Sequence, residues 1–273
     1  MADAFDRSRF AARLGARRLG RTLLVRETTE STNDDAWAAL AERGDGAAVI
    51  ALVQTRGRGR AGRRWEQAPG KGLALSVALH LGCDVRQAGA IPLAAGLAVA
   101  RAAHALGVAG ARLKWPNDVH VEGRKLAGVL CEMRRVPSRH EGAVTEAVVI
   151  GIGLNVRQVR EDFPPELRDL ATSLAIEGGG ASLEDAAAAC LTALEPLWNE
   201  LQEGDRAAVL AAWSALAPHW GGWLRVRTPA GDVEGIAQRL DADGGLVLRT
   251  ADGVETTVFA GDLQPAAEGW DAA

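Results

Sequence analysis

Two uninterrupted apolar runs, AAVIALV (47–53) and AVVIGIGLNV (147–156), constrain the fold most, because a strand with no polar face has to be buried. LALSVALHL (73–81) reads as another strand, and TLLVRE (22–27) as a further one ahead of them. Ser31-Thr32-Asn33 can cap a helix running through Trp37 and Leu40 to Gly44. Pro92 suits the first turn of a helix through residue 106, with Leu93 and Leu97 one turn apart. Pro116-Asn117-Asp118 is a turn signal, followed by strands in VHV (119–121) and KLAGVLCEM (125–133). The polar segment 134–146 reads as a hairpin loop. A helix begins at Ser182, with Asp185 three residues on, and Pro196 must kink it or end it early. Beyond Gly221-Gly222 the texture changes to short strands broken by turns, the pattern of a small β-barrel of about 45–50 residues. Residues 1–20 alternate Arg with Ala and Leu, as either a short basic amphipathic helix or a frayed tail, and the tail is the expectation. The expected division is therefore a tail (1–20), a large domain (21–220) and a barrel (221–268).

Composition narrows the class. Cys83, Cys131 and Cys190 are too few and too scattered for a disulfide framework or a CxxC metal pair, which fits a reducing cytoplasm, and no metal site is expected. No run approaches the roughly 18 apolar residues of a membrane span, and the N-terminus lacks an apolar signal core. A net charge of −4 argues against a general nucleic-acid binder, so no DNA partner is expected. Of 31 basic residues only Lys71, Lys114 and Lys125 are lysine. Arginine is the default cation, and each lysine merits attention.

Three constellations carry chemistry. QTRGRGRAGRRW (54–65) packs arginines 56, 58, 60, 63 and 64 with glycines 57, 59 and 62 into nine positions. Glycines let backbone N–H groups approach a ligand while guanidinium groups grip phosphate or carboxylate, so an anion site is the natural reading. A mobile, solvated loop is the alternative, and repulsion among five cations favours mobility without a ligand. Gly57, Gly59 and Gly62 also spell GxGxxG, but Gly62 opens no helix, since Pro69 and Gly70 intervene before the next strand. KWPNDV (114–119) and GRKLAGVL (123–130) place Lys114 and Lys125 around a turn carrying Asn117 and Asp118, which alone would read as turn chemistry. Lys125 beside an apolar run suits a developing negative charge or, equally, a snorkelling edge lysine. GIGLN (151–155) ends a buried strand, where glycine often marks close approach of a ligand or backbone. Trp65 is the one tryptophan placed to stack on a base, and the histidines show no ligand spacing.

Together, Ser31-Thr32-Asn33, the Arg/Gly loop, KWPNDV, RKLAGVL and GIGLN occur in an order and spacing similar to biotin protein ligases, over roughly residues 25–265. The chain resembles their short class without a DNA-binding domain. The resemblance implies an α+β fold: a mixed-sheet catalytic domain related to class II tRNA synthetases and lipoate ligases, plus a C-terminal SH3-like barrel. It implies that biotin is activated with ATP to biotinyl-5'-AMP and passed to a lysine of a biotin carboxyl carrier domain, with Mg²⁺ arriving on ATP. By the same resemblance, biotin would be bound by Ser31, Thr32, Asn33, Gln54, Gly57, Arg58, Gly59, Arg60, Lys125 and Gly128. Arg60, Trp65, Asn117 and Asn155 would face the nucleotide, and Lys125 and Arg58 would be catalytic. The rivals are a lipoate or octanoate transferase on the same scaffold, a ligand-sensing regulator, and a biotin carrier, which would need a Met-Lys-Met hairpin that Met1 and Met133 do not provide. A monomer and a weak homodimer both remain open.

Overall fold

In the computed structural model, residues 5–82, 88–137 and 144–265 are described; Cys83 and His140 lie outside them. The elements run α1 (Arg7–Arg13), β1 (Leu23–Thr29), α2 (Thr32–Arg43), β2 (Ala48–Gln54), β3 (Gly72–His80), α3 (Ala90–Ala105), β4 (Arg112–Lys114), β5 (Asp118–Val121), β6 (Arg124–Pro137) and β7 (Val144–Asn155). Two helices follow, α4 (Leu183–Glu203) and α5 (Arg206–Ala215). The C-terminal strands are β8 (Trp223–Thr228), β9 (Gly231–Leu240), β10 (Leu246–Arg249), β11 (Glu255–Val258) and β12 (Asp262–Pro265). The first seven strands form one sheet, ordered β1-β2-β3-β7-β6-β5-β4, in which β1 and β2 are parallel and the remaining neighbours antiparallel. The last five form an antiparallel sheet, β11-β10-β9-β8-β12, where the small barrel was expected.

The apolar runs lack polar positions because both faces of the sheet are covered. Ala48, Ile50 and Leu52 of β2, Leu73, Leu75, Val77 and Leu79 of β3, and Val148, Ile150, Ile152 and Leu154 of β7 join α3 and α4 in the main core. The residues between them, Val49, Ala78, Ala147 and Val149, pack against Ala36, Trp37, Ala39 and Leu40 of α2. Strand periodicity thus divides one run between two cores.

Two expectations are corrected, and one of the two outcomes open to Pro196 is ruled out. Residues 134–146 are not all loop, because β6 continues to Pro137 and β7 begins at Val144, the two pairing from Ala127↔Leu154 to Pro137↔Val144. Pro196 does not end α4, which continues to Glu203. Leu191, Leu194, Leu197, Trp198 and Leu201 are buried on both sides of the proline, and that packing offsets the roughly 3 kcal/mol an internal proline costs. Nor are residues 5–20 a frayed tail. Asp6 caps α1 by accepting from the N–H groups of Ser8 and Arg9, Phe10, Leu14 and Leu19 enter the main core, and the strap lies along α4. Gly15 N–H donates to Thr192 Oγ1 at 2.9 Å, and the Glu195 carboxylate accepts from the backbone N–H groups of Arg17, Arg18 and Leu19 at 2.7, 2.8 and 2.8 Å. Composition alone could not show this, because the anchors sit in a helix near the other end of the chain.

Burial works to raise the Glu195 carboxyl, but the three N–H donors outweigh it and hold the group below its ordinary range. Its contribution is therefore present above the unfolded carboxyl's pKa of about 4.3 and is lost as pH falls through the lower folded value. Glu195→Ala should lower unfolding stability by about 2 kcal/mol at neutral pH, with Glu195→Gln losing less because one acceptor oxygen remains. Urea denaturation midpoints check this, and an unchanged midpoint in the alanine variant would contradict it.

Candidate active site

Near the C-terminal end of β7, the face that α2 covers changes character. Where Val149 and Ala147 meet the helix, the next positions on that face are Gly151 and Gly153, and opposite Gly151 in β3 stands Ser76. A Cβ on Gly151 would fall 2.2 Å from Asn33 Oδ1, and one on Gly153 2.3 Å from the Trp65 ring. These glycines make room for two side chains, and both also line the cavity described below. Ser76 is fully buried, with its Oγ 2.7 Å from both Thr32 Oγ1 and Asn33 Oδ1. Its single proton can serve only one of them. With Ser76 donating to Asn33, the Thr32 hydroxyl is left to donate to Ser76 or to Gln54 Oε1, 3.1 Å away, which also accepts the Thr32 N–H at 2.8 Å.

Ser31 has the extended backbone of an N-cap (φ −156°, ψ 131°), yet its side chain makes no capping bond and instead lines a cavity of about 140 Å³ at the start of α2. The same cavity is lined by Thr32, Asn33, Gln54, Arg58, Gly59, Arg60, Trp65, Asn117, Lys125 and Gly128. Residues from β2, the Arg/Gly loop, the Trp-Pro-Asn-Asp turn and β6 thus converge on one place. Two expected residues do not line it. Gly57 borders an adjoining cleft beneath the loop. Asn155 turns inward, donating to Thr172 O at 2.9 Å and accepting from Gln158 Nε2 at 2.9 Å.

The loop closes as a narrow hairpin, with Trp65 N–H donating to Gly57 O at 3.0 Å and Gly59 N–H to Arg63 O at 2.7 Å. A Cβ on Gly57 would lie 2.4 Å from Trp65 O, so the hairpin needs glycine there. Its tip holds Ala61 in the left-handed region (φ 53°), a conformation that is strained for alanine, followed by Gly62 (φ 74°). The arginines are answered individually. Arg58 grips Asp34 with two bonds of 2.6 and 2.8 Å and donates to Glu132 at 3.0 Å; hydrogen bonding to Asp34 raises its pKa further above the ordinary guanidinium value. Arg56 pairs with Glu30 at 3.2 Å and Arg63 with Asp262 at 2.7 Å. Arg60 donates to Asn117 Oδ1 at 2.9 Å and Gly261 O at 3.4 Å, and burial draws its pKa down. Asn117 itself is pinned by Nδ2 donating to Val129 O at 2.6 Å.

Lys125 occupies space left by Gly128, where a Cβ would lie 3.2 Å from Lys125 Nζ. Its ammonium is 2.7 Å from Asp118 and 5.8 Å from the centre of the Trp65 ring. Burial works to raise the Asp118 carboxyl, but His120 and Lys125 outweigh it and hold the group at about 2. Lys125 N–H donates to Leu170 O at 2.7 Å and Lys125 O accepts from Thr172 N–H at 2.9 Å, so Asn155 and Lys125 grip the same 170–172 segment. Lys114 is paired in register with Asp118 and does not line the cavity; burial lowers its pKa.

Sequence reasoning missed Ser76, whose only signal is one hydroxyl inside the apolar run LALSVALHL. It also missed the carboxylates Asp34 and Glu132, which sit on α2 and β6, and it treated Asp118 as simple turn chemistry.

Residues 25–155 match the Biotin/lipoate A/B protein ligase family, and residues 225–263 the Biotin protein ligase C terminal domain. A biotin--[acetyl-CoA-carboxylase] ligase of Mycobacterium tuberculosis is 37% identical over 259 residues, covering 92% of this chain and 91% of its own length. The bifunctional ligase/repressor BirA of Bacillus subtilis is 30% identical over 249 residues, covering 90% of this chain and 74% of its own. The structure of an Aquifex aeolicus biotin protein ligase in complex with biotin and ATP superposes with a TM-score of 0.73 at 26% identity, covering 89% of this chain and 98% of that one.

Two outcomes follow from the geometry. Gly153→Ala forces the Trp65 ring out of place and should cost about 1–3 kcal/mol of stability, as overpacking does; an unchanged thermal midpoint would show that the ring is not held there. Because the Asp118 carboxyl lies below its unfolded pKa, its contribution is present above about pH 4 and is lost as pH falls through about 2. The wild-type protein should therefore lose roughly 2 kcal/mol more than Asp118→Asn across that window in acid titrations of stability.

Proposed function

The chain belongs to the biotin protein ligases, and we propose how its pocket performs their reaction: activation of biotin with ATP to biotinyl-5'-AMP, then transfer of biotin to a lysine on a carboxylase's carrier domain. The observation that carries this assignment is the convergence of Lys125, Arg58 and Arg60 on one cavity at the start of α2, which the amide and hydroxyl groups of Ser31, Thr32, Asn33 and Gln54 also line.

Attack of the biotin carboxylate on the α-phosphorus joins two anions, so repulsion has to be screened as charge builds on the phosphoryl oxygens. Lys125 offers a point charge fixed by Asp118 and by the backbone bonds to 170–172, and Arg58 offers a fork fixed by two carboxylates. Ser31, Thr32, Asn33 and Gln54 supply the mix of donors and acceptors suited to the ring amide groups of biotin, with Gly59 and Gly128 lining the same space and Gly57 shaping the loop beside it. On the nucleotide side we place Arg60, Trp65 and Asn117. Trp65 Nε1 is buried without a protein partner, which suits a ring meant to meet a ligand. Asn155 would act there through the 170–172 segment it holds. Mg²⁺ would supply charge neutralisation on the triphosphate. The cavity's one lining carboxylate among the described residues, Asp118, is already tied to Lys125, so this donor set suits a metal brought by ATP rather than a protein cage. The acyl-adenylate is a reactive anhydride, and a loop closed over it keeps water out.

We assign residues 21–220 to the catalytic unit, with the strap at 5–20 docked on it, and 221–268 to the C-terminal unit. The carrier domain is the protein partner in this reading, and DNA is not. We place the enzyme in the cytoplasm, as a monomer or weak homodimer. Among the described residues no helix is long and apolar enough to cross a membrane.

Lys125→Ala should slow adenylation by on the order of 10²-fold or more, the scale of a lost electrostatic stabiliser. Biotin-dependent exchange of pyrophosphate into ATP reads this directly, with octanoate replacing biotin as the control. Near-normal exchange in the variant would remove Lys125 from the chemistry, and preference for octanoate would favour the lipoate-type rival.

A further inference from the structure

A second cavity, of about 170 Å³, has Arg60, Asn117, Val129 and Leu130 in common with the first. The two spaces therefore adjoin at these residues. Their chemistry differs. The first gathers cations and amides. The second is walled by Pro92, Leu93, Trp115 and Pro116 and by Cys131, and Arg60 is its only basic lining residue among the described residues. Its remaining wall comes from the C-terminal sheet, through Asp243, Gly244 and Phe259. Phe259 is 64% exposed, which places a large ring at the solvent end. Asp243 is half exposed and is the one carboxylate lining the cavity among the described residues, paired on Oδ1 with Arg206 at 2.7 Å. Trp115 Nε1 donates to Gly244 O at 3.1 Å, so the sheet's turn is fastened to the catalytic wall and the mouth has a defined shape.

A mainly apolar cavity with a half-exposed carboxylate and an exposed ring on one side, and an arginine in common with the first cavity on another, fits a particular visitor: a long apolar stem with a cationic head that loses its charge on the way in. We propose that the second cavity is the passage by which the carrier's acceptor lysine reaches the biotinyl adenylate, and that the C-terminal sheet forms its mouth through Phe259 and Asp243. The proposal rests on the reading of the first cavity given above. The lysine ammonium gives one proton to solvent near the mouth and its four-carbon stem lies along the apolar walls. Its Nζ then attacks the carbonyl carbon of the mixed anhydride. The C–N amide bond forms as the C–O bond to phosphate breaks, AMP leaves with the electron pair, and the second amine proton goes to solvent. Arg60, where the two spaces adjoin, faces the departing phosphate.

The test separates the two half-reactions, using the full chain with biotin, Mg·ATP and an isolated biotin carrier domain. Cys131→Phe fills the passage. Carrier labelling should fall at least about tenfold in kcat/KM, while biotin-dependent ATP–pyrophosphate exchange stays within about twofold of wild type. Asp243→Asn, a milder change, should raise the carrier's KM several-fold at low salt with kcat and exchange unaltered, because attraction at a solvent-exposed mouth is screened by ions. Should Cys131→Phe not fold, Asp243→Asn and Phe259→Ala carry the test through the same KM readout. Exchange and labelling falling together would assign the cavity to the nucleotide and overturn the passage, as would wild-type labelling in the variants. Absence of biotin-dependent exchange in the wild-type protein would instead overturn the reading of the first cavity, and the passage with it.

Discussion

A strand at the centre of a covered sheet has to fill space on both faces, and β7 meets that demand in two ways along its length. Next to α2 it uses Val149 and Ala147, and one pleat further on it uses Gly151 and Gly153, handing the vacated volume to Asn33 and Trp65. The pocket exists because of that change. With a Cβ at either glycine, the start of α2 and the end of the Arg/Gly loop would be pushed off the sheet, and Gln54, Lys125 and Arg58 would have nothing to converge on. Ser76 supports the same junction from below, fixing Thr32 and Asn33 against β3.

The electrostatics of the loop follow from what its arginines are paired with. Self-repulsion favours a mobile loop without a ligand, and in the structure Arg56, Arg58 and Arg63 each face a carboxylate from another element. Pairs as exposed as these are worth little individually, about 0–1 kcal/mol. They are enough to give the loop a resting geometry and too weak to resist a ligand of the same charge as the carboxylates. In the proposed reaction an incoming anion would exchange with Asp34 or Glu132 instead of having to strip a bare guanidinium of its water.

How much of this was legible in the sequence depended on whether the signal was local. Strand runs, the Ser182 capping box, Pro92 in the first turn of α3 and the turn at Pro116 all announce themselves within a few residues, and the structure contains each. The convergence of Ser31 to Asn33, Gln54, Arg58, Lys125 and Gly128 was legible only as a combination of motifs, since no single one fixes its neighbours in space. What stayed hidden was decided at a distance. The strap at 5–20 looks polar until Glu195 and Thr192 answer its backbone, Pro196 looks like a stop until the packing around it is known, and Asp118 looks like a turn residue until Lys125 is seen beside it.

The strap has a consequence for how the chain comes to be folded. Its N–H groups at Arg17 to Leu19 belong to a carboxylate about 178 positions later, and Phe10 and Leu14 to a core that α4 completes. A chain made from its N-terminus carries this segment with nowhere to put it until α4 has been made, since contacts of such long sequence separation are the last to become available. Residues 5–20 leave the ribosome long before α4 and are thus among the last to settle. Until α4 emerges, the face of β3 that it will cover stays open as an apolar surface that a chaperone can hold.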